Sequence, residues 1–186
     1  MKIGVISDTH GYFERYALAC EKFFSGADLI LHAGDVLNHG AKNPNFRGSD
    51  YNPIELAKLI NASKIPVIIC RGNCDSEVDQ LVIETPIQAP YAYVFANGRK
   101  IVMTHGHNAD ADSMAAHMKA DIFITGHIHK NILERRGGTV FLNPGTPSNY
   151  LSTRVDRKTS VAVISDTKIE IFDLDSGEIL MDFKLE

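Results

Sequence analysis

Seven residues of metal-binding type recur in the sequence at the ends of short apolar runs: Asp8 and His10, Asp35, Asn73, His105, then His127 and His129. Carboxylate, amide and imidazole together make a mixed oxygen and nitrogen donor set. Seven donors exceed what one tetrahedral ion can use, so the pattern points to two divalent metals. Glycines accompany them at Gly34, Gly72, Gly106 and Gly126, where the backbone must turn sharply or approach an ion closely. Each fragment alone is weak. An Asp-x-His after a strand also opens aspartyl-nucleophile phosphatases, but that chemistry wants a second Asp where His10 stands. His127-x-His129 alone reads equally as a solvated turn, and Gly34-Asp35 as a strand-ending turn. The conjunction of all five, in order, is what carries the reading.

The elements that must position these residues follow from hydrophobic periodicity. Lys2–Ser7, Leu29–His32 and Pro66–Cys70 read as buried strands. Tyr12–Phe24 carries apolar residues at helical spacing, and Pro53 suits the first position of a helix running to about Ala62. Asn97-Gly98 between Tyr91–Phe95 and Lys100–Thr104 predicts a hairpin. Asp110–Lys119 reads as a helix and Asp121–Thr125 as a strand. Short alternating strands follow, with turns at Gly137-Gly138, Asp166-Thr167 and Asp175-Ser176-Gly177. The expectation is a mixed α/β fold of two packed sheets with outer helices, its ligands gathered where strands end. The polar stretch Asn38–Asn52 has no periodicity and reads as a functional loop.

Composition bounds the rest. At 186 residues, 44% apolar and 23% charged, the chain is expected to form one domain over residues 1–186. The net charge of −4 argues against a general nucleic-acid sleeve, which needs a basic excess. Three cysteines make no disulfide framework. No secretory core follows Lys2 and no apolar run approaches a membrane span, so a cytoplasmic setting with reduced thiols is expected.

The series Asp8-x-His10, Gly34-Asp35, Gly72-Asn73, His105 and Gly126-His127-x-His129 resembles the motif set of the calcineurin-like metallophosphoesterases, over residues 3 to about 165. Gly34–Gly40, Arg71–Gln80 and the turn Asn143-Pro144-Gly145-Thr146 resemble its small bacterial YfcE-type phosphodiesterases. The resemblance implies a four-layer αββα sandwich. It implies that Asp8, His10, Asp35 and His129 hold one metal and Asp35, Asn73, His105 and His127 the other, with Asp35 bridging. It implies attack by a metal-bridging hydroxide on a small phosphodiester. Two divalent ions, two carboxylates and one hydroxide leave one net positive charge, which slightly favours a diester over a monoester. The ligand set suits manganese, with zinc, iron, nickel or cobalt as alternatives. A homo-oligomer is also suggested.

The departures from the wider family concern the general acid. Many members carry a His after the Gly-Asn pair and a partner Asp three residues after the bridging one; here Cys74 and Asn38 stand there, and His39 replaces an Arg. Asn73, His39 and Cys74 are therefore the catalytic candidates. His39 would be a substitute proton donor, Cys74 would form part of the wall, and a protein nucleophile would be redundant. His107 is a candidate substrate contact, and His32 and His117 read as structural. The alternatives are a phosphomonoesterase or nuclease of the same fold, or a non-catalytic metal-binding scaffold for protein partners.

Overall fold

The computed structural model describes residues 1–40, 50–108, 110–148 and 158–185. Residues 41–49 of the Asn38–Asn52 loop lie outside them. The chain runs β1 (Ile3–Ile6), α1 (Phe13–Lys22), β2 (Leu29–His32), α2 (Pro53–Asn61), β3 (Val67–Cys70), a 3₁₀ turn (Asp79–Leu81), β4 (Ile87–Gln88), β5 (Ala92–Ala96) and β6 (Arg99–Met103). It continues through α3 (Ala111–Met118), β7 (Ile122–Ile124), β8 (Asn131–Arg136), β9 (Thr139–Pro144), β10 (Ser160–Ile164), β11 (Lys168–Asp173) and β12 (Ile179–Lys184). One sheet has the order β12-β11-β10-β1-β2-β3-β4 and the other β5-β6-β7-β9-β8.

Strand periodicity explains the layering. Ile3 and Val5, Leu29 and Leu31, Ile101 and Met103, Ile122 and Ile124, and Val140 and Leu142 belong to one buried cluster that joins the two sheets face to face. The alternate residues Ile6, Ile30 and Ile69 face outward onto Tyr16 and Ala19 of α1 and Leu56 and Ile60 of α2. On the far side, Val102, Phe123 and Phe141 meet Ala115 of α3. The result is the expected αββα sandwich. β1 and β2 are buried along their whole length, as parallel strands covered on both faces must be.

Local signals act as read. Asn97 and Gly98 both take left-handed φ, +54° and +71°, which closes the β5–β6 hairpin. The Asn52 side chain caps α2 by accepting from the Glu55 amide, with Pro53 in the first turn, and Asp110 caps α3 from the Ser113 amide. The 3₁₀ turn and β4 escape sequence reading, because three and two residues are too short to show a period.

Gly4 faces the helix layer. A Cβ there would lie 2.5 Å from Cδ1 of Phe24, which is fully buried. Gly4→Ala is expected to destabilise the fold by about 1–3 kcal/mol through overpacking, read as a lower denaturation midpoint with an unchanged slope.

Candidate metal centre

All the sequence-picked ligands stand just beyond strand carboxyl ends. Asp8 and His10 follow β1, Asp35 follows β2, Asn73 follows β3, His105 follows β6, and His127 and His129 follow β7. β1, β2 and β3 are parallel neighbours in one sheet, and β6 and β7 in the other. The site therefore straddles the seam where the sheets meet. Backbone bonds stitch the turns together, from the Asp8 amide to Gly34 O (2.9 Å) and from the His10 amide to Asp35 O (3.0 Å).

The backbone is strained where the ligands are. Asp8, His10, Asp35, His127 and His129 all have positive φ, between 47° and 68°. Side chains other than glycine's pay roughly 1–2 kcal/mol for that conformation, so the surrounding structure must enforce it. Elsewhere among the described residues, only Asn97 and Lys119 share it without being glycine, at a hairpin and a helix end.

Each carboxylate has one oxygen anchored and one aimed inward. Asp8 Oδ2 accepts from the Ser7 hydroxyl (2.6 Å) and the His127 amide (3.0 Å), while Oδ1 faces Nε2 of His129 at 3.1 Å and of His10 at 3.6 Å. Asp35 Oδ1 accepts from the Cys74 amide (2.8 Å), while Oδ2 faces Nε2 of His105 at 3.3 Å and of His10 at 3.7 Å. The approach is close enough that a Cβ on Gly72 would run into Asp35 Oδ1, and one on Gly126 into the Ser7 hydroxyl.

The imidazoles are locked from behind. His10 Nδ1 donates to Asn38 O at 2.6 Å and His105 Nδ1 to Ala33 O at 2.7 Å. A carbonyl only accepts, so each Nδ1 carries the hydrogen and each Nε2 of the neutral ring presents a lone pair to the carboxylates. Lone pair facing carboxylate is repulsive unless a cation stands between. In the metal-free protein a proton takes that place. Burial opposes the charge on His105, but its bond to Asp35 and the charges of Asp8 and Asp35 outweigh that and raise it to about 9. His10 is raised in the same way by Asp8 and Asp35. Burial opposes ionisation of Asp8, yet His10 and His129 hold it well below the usual carboxylate range.

This donor set fits divalent metals. Two three-residue groups, Asp8–His10–His129 and Asp8–Asp35–His105, keep their ligating atoms within 4.8 Å of one another. Asn73 Oδ1 lies 3.1 Å from His105 Nε2, and the His127 ring packs edge-on against His105 at 5.2 Å. A third group, His10–Asp35–Cys74, brings the thiol to the edge of the centre.

Residue patterns at this level already matched one family, and the chain matches its family description, the calcineurin-like phosphoesterase superfamily domain, over residues 1–168. The chain belongs to that superfamily. It is 38% identical over 149 residues to phosphodiesterase YfcE of Escherichia coli K12, covering 80% of each chain. It is 28% identical over 160 residues to a phosphodiesterase of Methanocaldococcus jannaschii, covering 82% of this chain and 87% of that one. The solved structure of the E. coli phosphoesterase superimposes with a TM-score of 0.84 at 29% identity, over the full length of both chains. Vps29 of Entamoeba histolytica, complexed with zinc, shares the fold at a TM-score of 0.64 and 22% identity.

The other sequence candidates separate. His107 stands 5.4 Å from the His105 ring and 6.1 Å from that of His127. His39 donates Nδ1 to Gly40 O (3.1 Å) and packs on the Tyr51 ring at 5.0 Å. Cys74 is half-buried, and burial with the nearby Asp35 charge pushes its thiol up to about 12. His117 is exposed in the last turn of α3. Asn38 braces its loop. Its amide donates to both oxygens of Asp79 (3.0 and 3.1 Å), which also accepts from the Ser76 amide at 2.9 Å.

Sequence reading missed the residues that fix the frame. Asp75 accepts from the amides of Val36 (2.7 Å), Gly72 (2.7 Å) and Asp35 (2.9 Å), clamping the Asp35 turn to the Asn73 turn. The Thr146 hydroxyl donates to Asp8 O (2.8 Å) and Asn143 Nδ2 to Gly126 O (2.7 Å), which gives the Asn143–Thr146 turn its role. His32, fully buried, is tied at both nitrogens. Nδ1 accepts from the Gly34 amide (3.2 Å), and Nε2 donates to Thr9 Oγ1 (2.9 Å), which itself donates to Val36 O. An acid after Gly-Asn-Cys was the available signal for Asp75, whereas His32, read from the sequence as structural, has that role here.

Asp75→Ala frees three amides and loosens two ligand turns, so metal affinity is expected to fall about 10–100-fold, measured by titrating the metal-free protein. Burial depresses His32 to about 3 from an ordinary value near 6.5. The unfolded chain therefore binds a proton that the folded one refuses between those values. Stability is retained above pH 6.5 and declines as pH falls through the window, by up to about 1.4 kcal/mol per unit. In metal-free protein, His32→Gln is expected to flatten that part of the stability-against-pH curve.

Proposed function

We propose that the protein is a two-metal phosphodiesterase acting on small phosphodiesters. The observation that carries the reading is the convergence of two anchored carboxylates on imidazole Nε2 atoms whose Nδ1 atoms are locked to carbonyls. That arrangement holds cations without having to reorganise. Asp8, His10, Asp35 and His129 would hold one metal, and Asp35, Asn73, His105 and His127 the second. Manganese is proposed, with zinc, iron, nickel or cobalt as alternatives. Bound there, the pair supplies an activated water for attack on phosphorus and neutralises charge on the phosphoryl oxygens.

The chain's own groups do the rest. Asp35 and Asp8 set the charge of the site, and the locked imidazoles fix where a phosphoryl group can settle. Cys74, whose thiol burial and the Asp35 charge push up to about 12, suits a wall of the site rather than a nucleophile. His39 is the proposed proton donor to the leaving oxygen, since an imidazole can both hold and release a proton near neutrality. The names of the bacterial and archaeal relatives support a diester over a monoester. Nucleic acid is an unfavoured substrate for a chain of net charge −4. Among the described residues, no helix is long and apolar enough to cross a membrane. A cytoplasmic location and a homo-oligomeric assembly complete the proposal.

Asp35→Ala and His127→Ala are each expected to lower turnover of bis(p-nitrophenyl) phosphate at least about a hundredfold, since each removes several kcal/mol of charge stabilisation. Chelator should abolish the activity and added manganese restore it. Wild-type turnover in either variant at equal metal content would refute the mechanism. Turnover only of a monoester or an oligonucleotide would replace the substrate class. Bound metals with no turnover of any of the three would indicate a scaffold.

A further inference from the structure

A cavity of about 390 Å³ opens beside the metal centre, walled by Arg71, Asn73, Tyr91, Thr104, His107 and Asn108. Two of these residues connect it to the chemistry. Asn73 faces His105 Nε2 at 3.1 Å, and the His107 ring stands 5.4 Å from that of His105. The cavity thus adjoins the candidate metal centre on its Asn73 and His107 side.

Arg71 gives the cavity its charge. Its Nε donates to Asp75 O (3.2 Å), which fixes the guanidinium plane, and among the described residues its two terminal nitrogens have no hydrogen bond or ion pair. The carboxylate within the same cavity wall, Asp75, already accepts three backbone amides. Arg71 is half-buried, as is Tyr91. A fixed, partly desolvated guanidinium with its fork open is suited to bind a planar or tetrahedral anion through two parallel bonds.

Distance limits what that anion can be. Arg71 lies two residues before Asn73, and two residues of chain span at most about 7 Å. The two side chains add their own reach, so an anion held by Arg71 belongs to a short arm of the substrate. Tyr91 and Pro90 offer a flat side against which a short, rigid arm can lie.

We propose that this cavity is the subsite for one ester arm of the substrate, and that it selects short arms carrying a second anionic group, which Arg71 binds through its terminal nitrogens. The proposal rests on the phosphodiesterase reading above and names its substrate class: diesters in which one arm bears a carboxylate or a further phosphate.

The test compares two inert probes on manganese-loaded protein by calorimetry, phenylphosphonate and 3-carboxyphenylphosphonate, with turnover of bis(p-nitrophenyl) phosphate measured alongside. Wild type is expected to bind the carboxylated probe at least about tenfold more tightly, the worth of one charge-assisted hydrogen bond. Arg71→Ala and Arg71→Gln should each bring the ratio of affinities to parity, and Arg71→Lys should leave it in between. The ratio is insensitive to any general loss of metal or folding, which lowers both affinities together. The subsite is overturned if wild type binds both probes equally, or if the preference survives Arg71→Ala. In either case continued diester turnover leaves the phosphodiesterase reading standing. Failure to bind either probe together with no diester turnover would remove that reading and the subsite with it.

Discussion

Two buried carboxylates facing imidazole lone pairs across the seam of two sheets are the constraint on which the rest of this protein depends. Burying such groups is costly unless each charge is paired and each remaining lone pair is occupied. The structure meets that condition one atom at a time. Asp8 and Asp35 each keep one oxygen on backbone or hydroxyl donors and leave the other for the centre. His10 and His105 are each held by a carbonyl, which keeps Nδ1 protonated and Nε2 aimed at the centre. The unsatisfied demand that remains is for positive charge, and it is concentrated at one point.

Such a centre needs a rigid frame, and the sandwich supplies it. The candidate ligands come from β1, β2 and β3 on one sheet and from β6 and β7 on the other, so the packing of the two sheets sets the distance between the two halves of the site. The left-handed backbone at five ligand positions shows that local conformation yields to this arrangement. Those residues would relax elsewhere if the turns were free. They are not free: Asp75 clamps two of the turns together, the His32–Thr9–Val36 chain ties the β1 end to the β2 end, and the Asn143–Thr146 turn holds Asp8 and Gly126 from the other sheet. Metal affinity and fold stability thus draw on the same hydrogen bonds.

Asn38 and Cys74 also have definite tasks in this frame. The Asn38 amide braces the loop on Asp79 while its carbonyl orients His10. An aspartate at that position would face the Asp79 carboxylate and repel it. Burial and the Asp35 charge push the Cys74 thiol up, so the wall beside Asp35 adds no competing charge.

Much of this was legible in the sequence. Asp, Asn and His at strand ends, the Asn97-Gly98 turn, the Pro53 helix start and the alternation of Ile3 and Val5 with their neighbours each carry a local physical signal, and each stands in the structure where that signal places it. The sequence alone therefore determined the fold class, the strand ends and the types of donor available. Only the tertiary structure decided which oxygen of each carboxylate points inward, why His32 is buried, what Asp75 and Thr146 hold, and that Arg71 opens toward a cavity beside Asn73. These depend on contacts between residues far apart in the chain, and no periodicity or local propensity encodes them. Hydrogen-bond partners are assigned by the packing of the two sheets, and that packing exists only once both have formed.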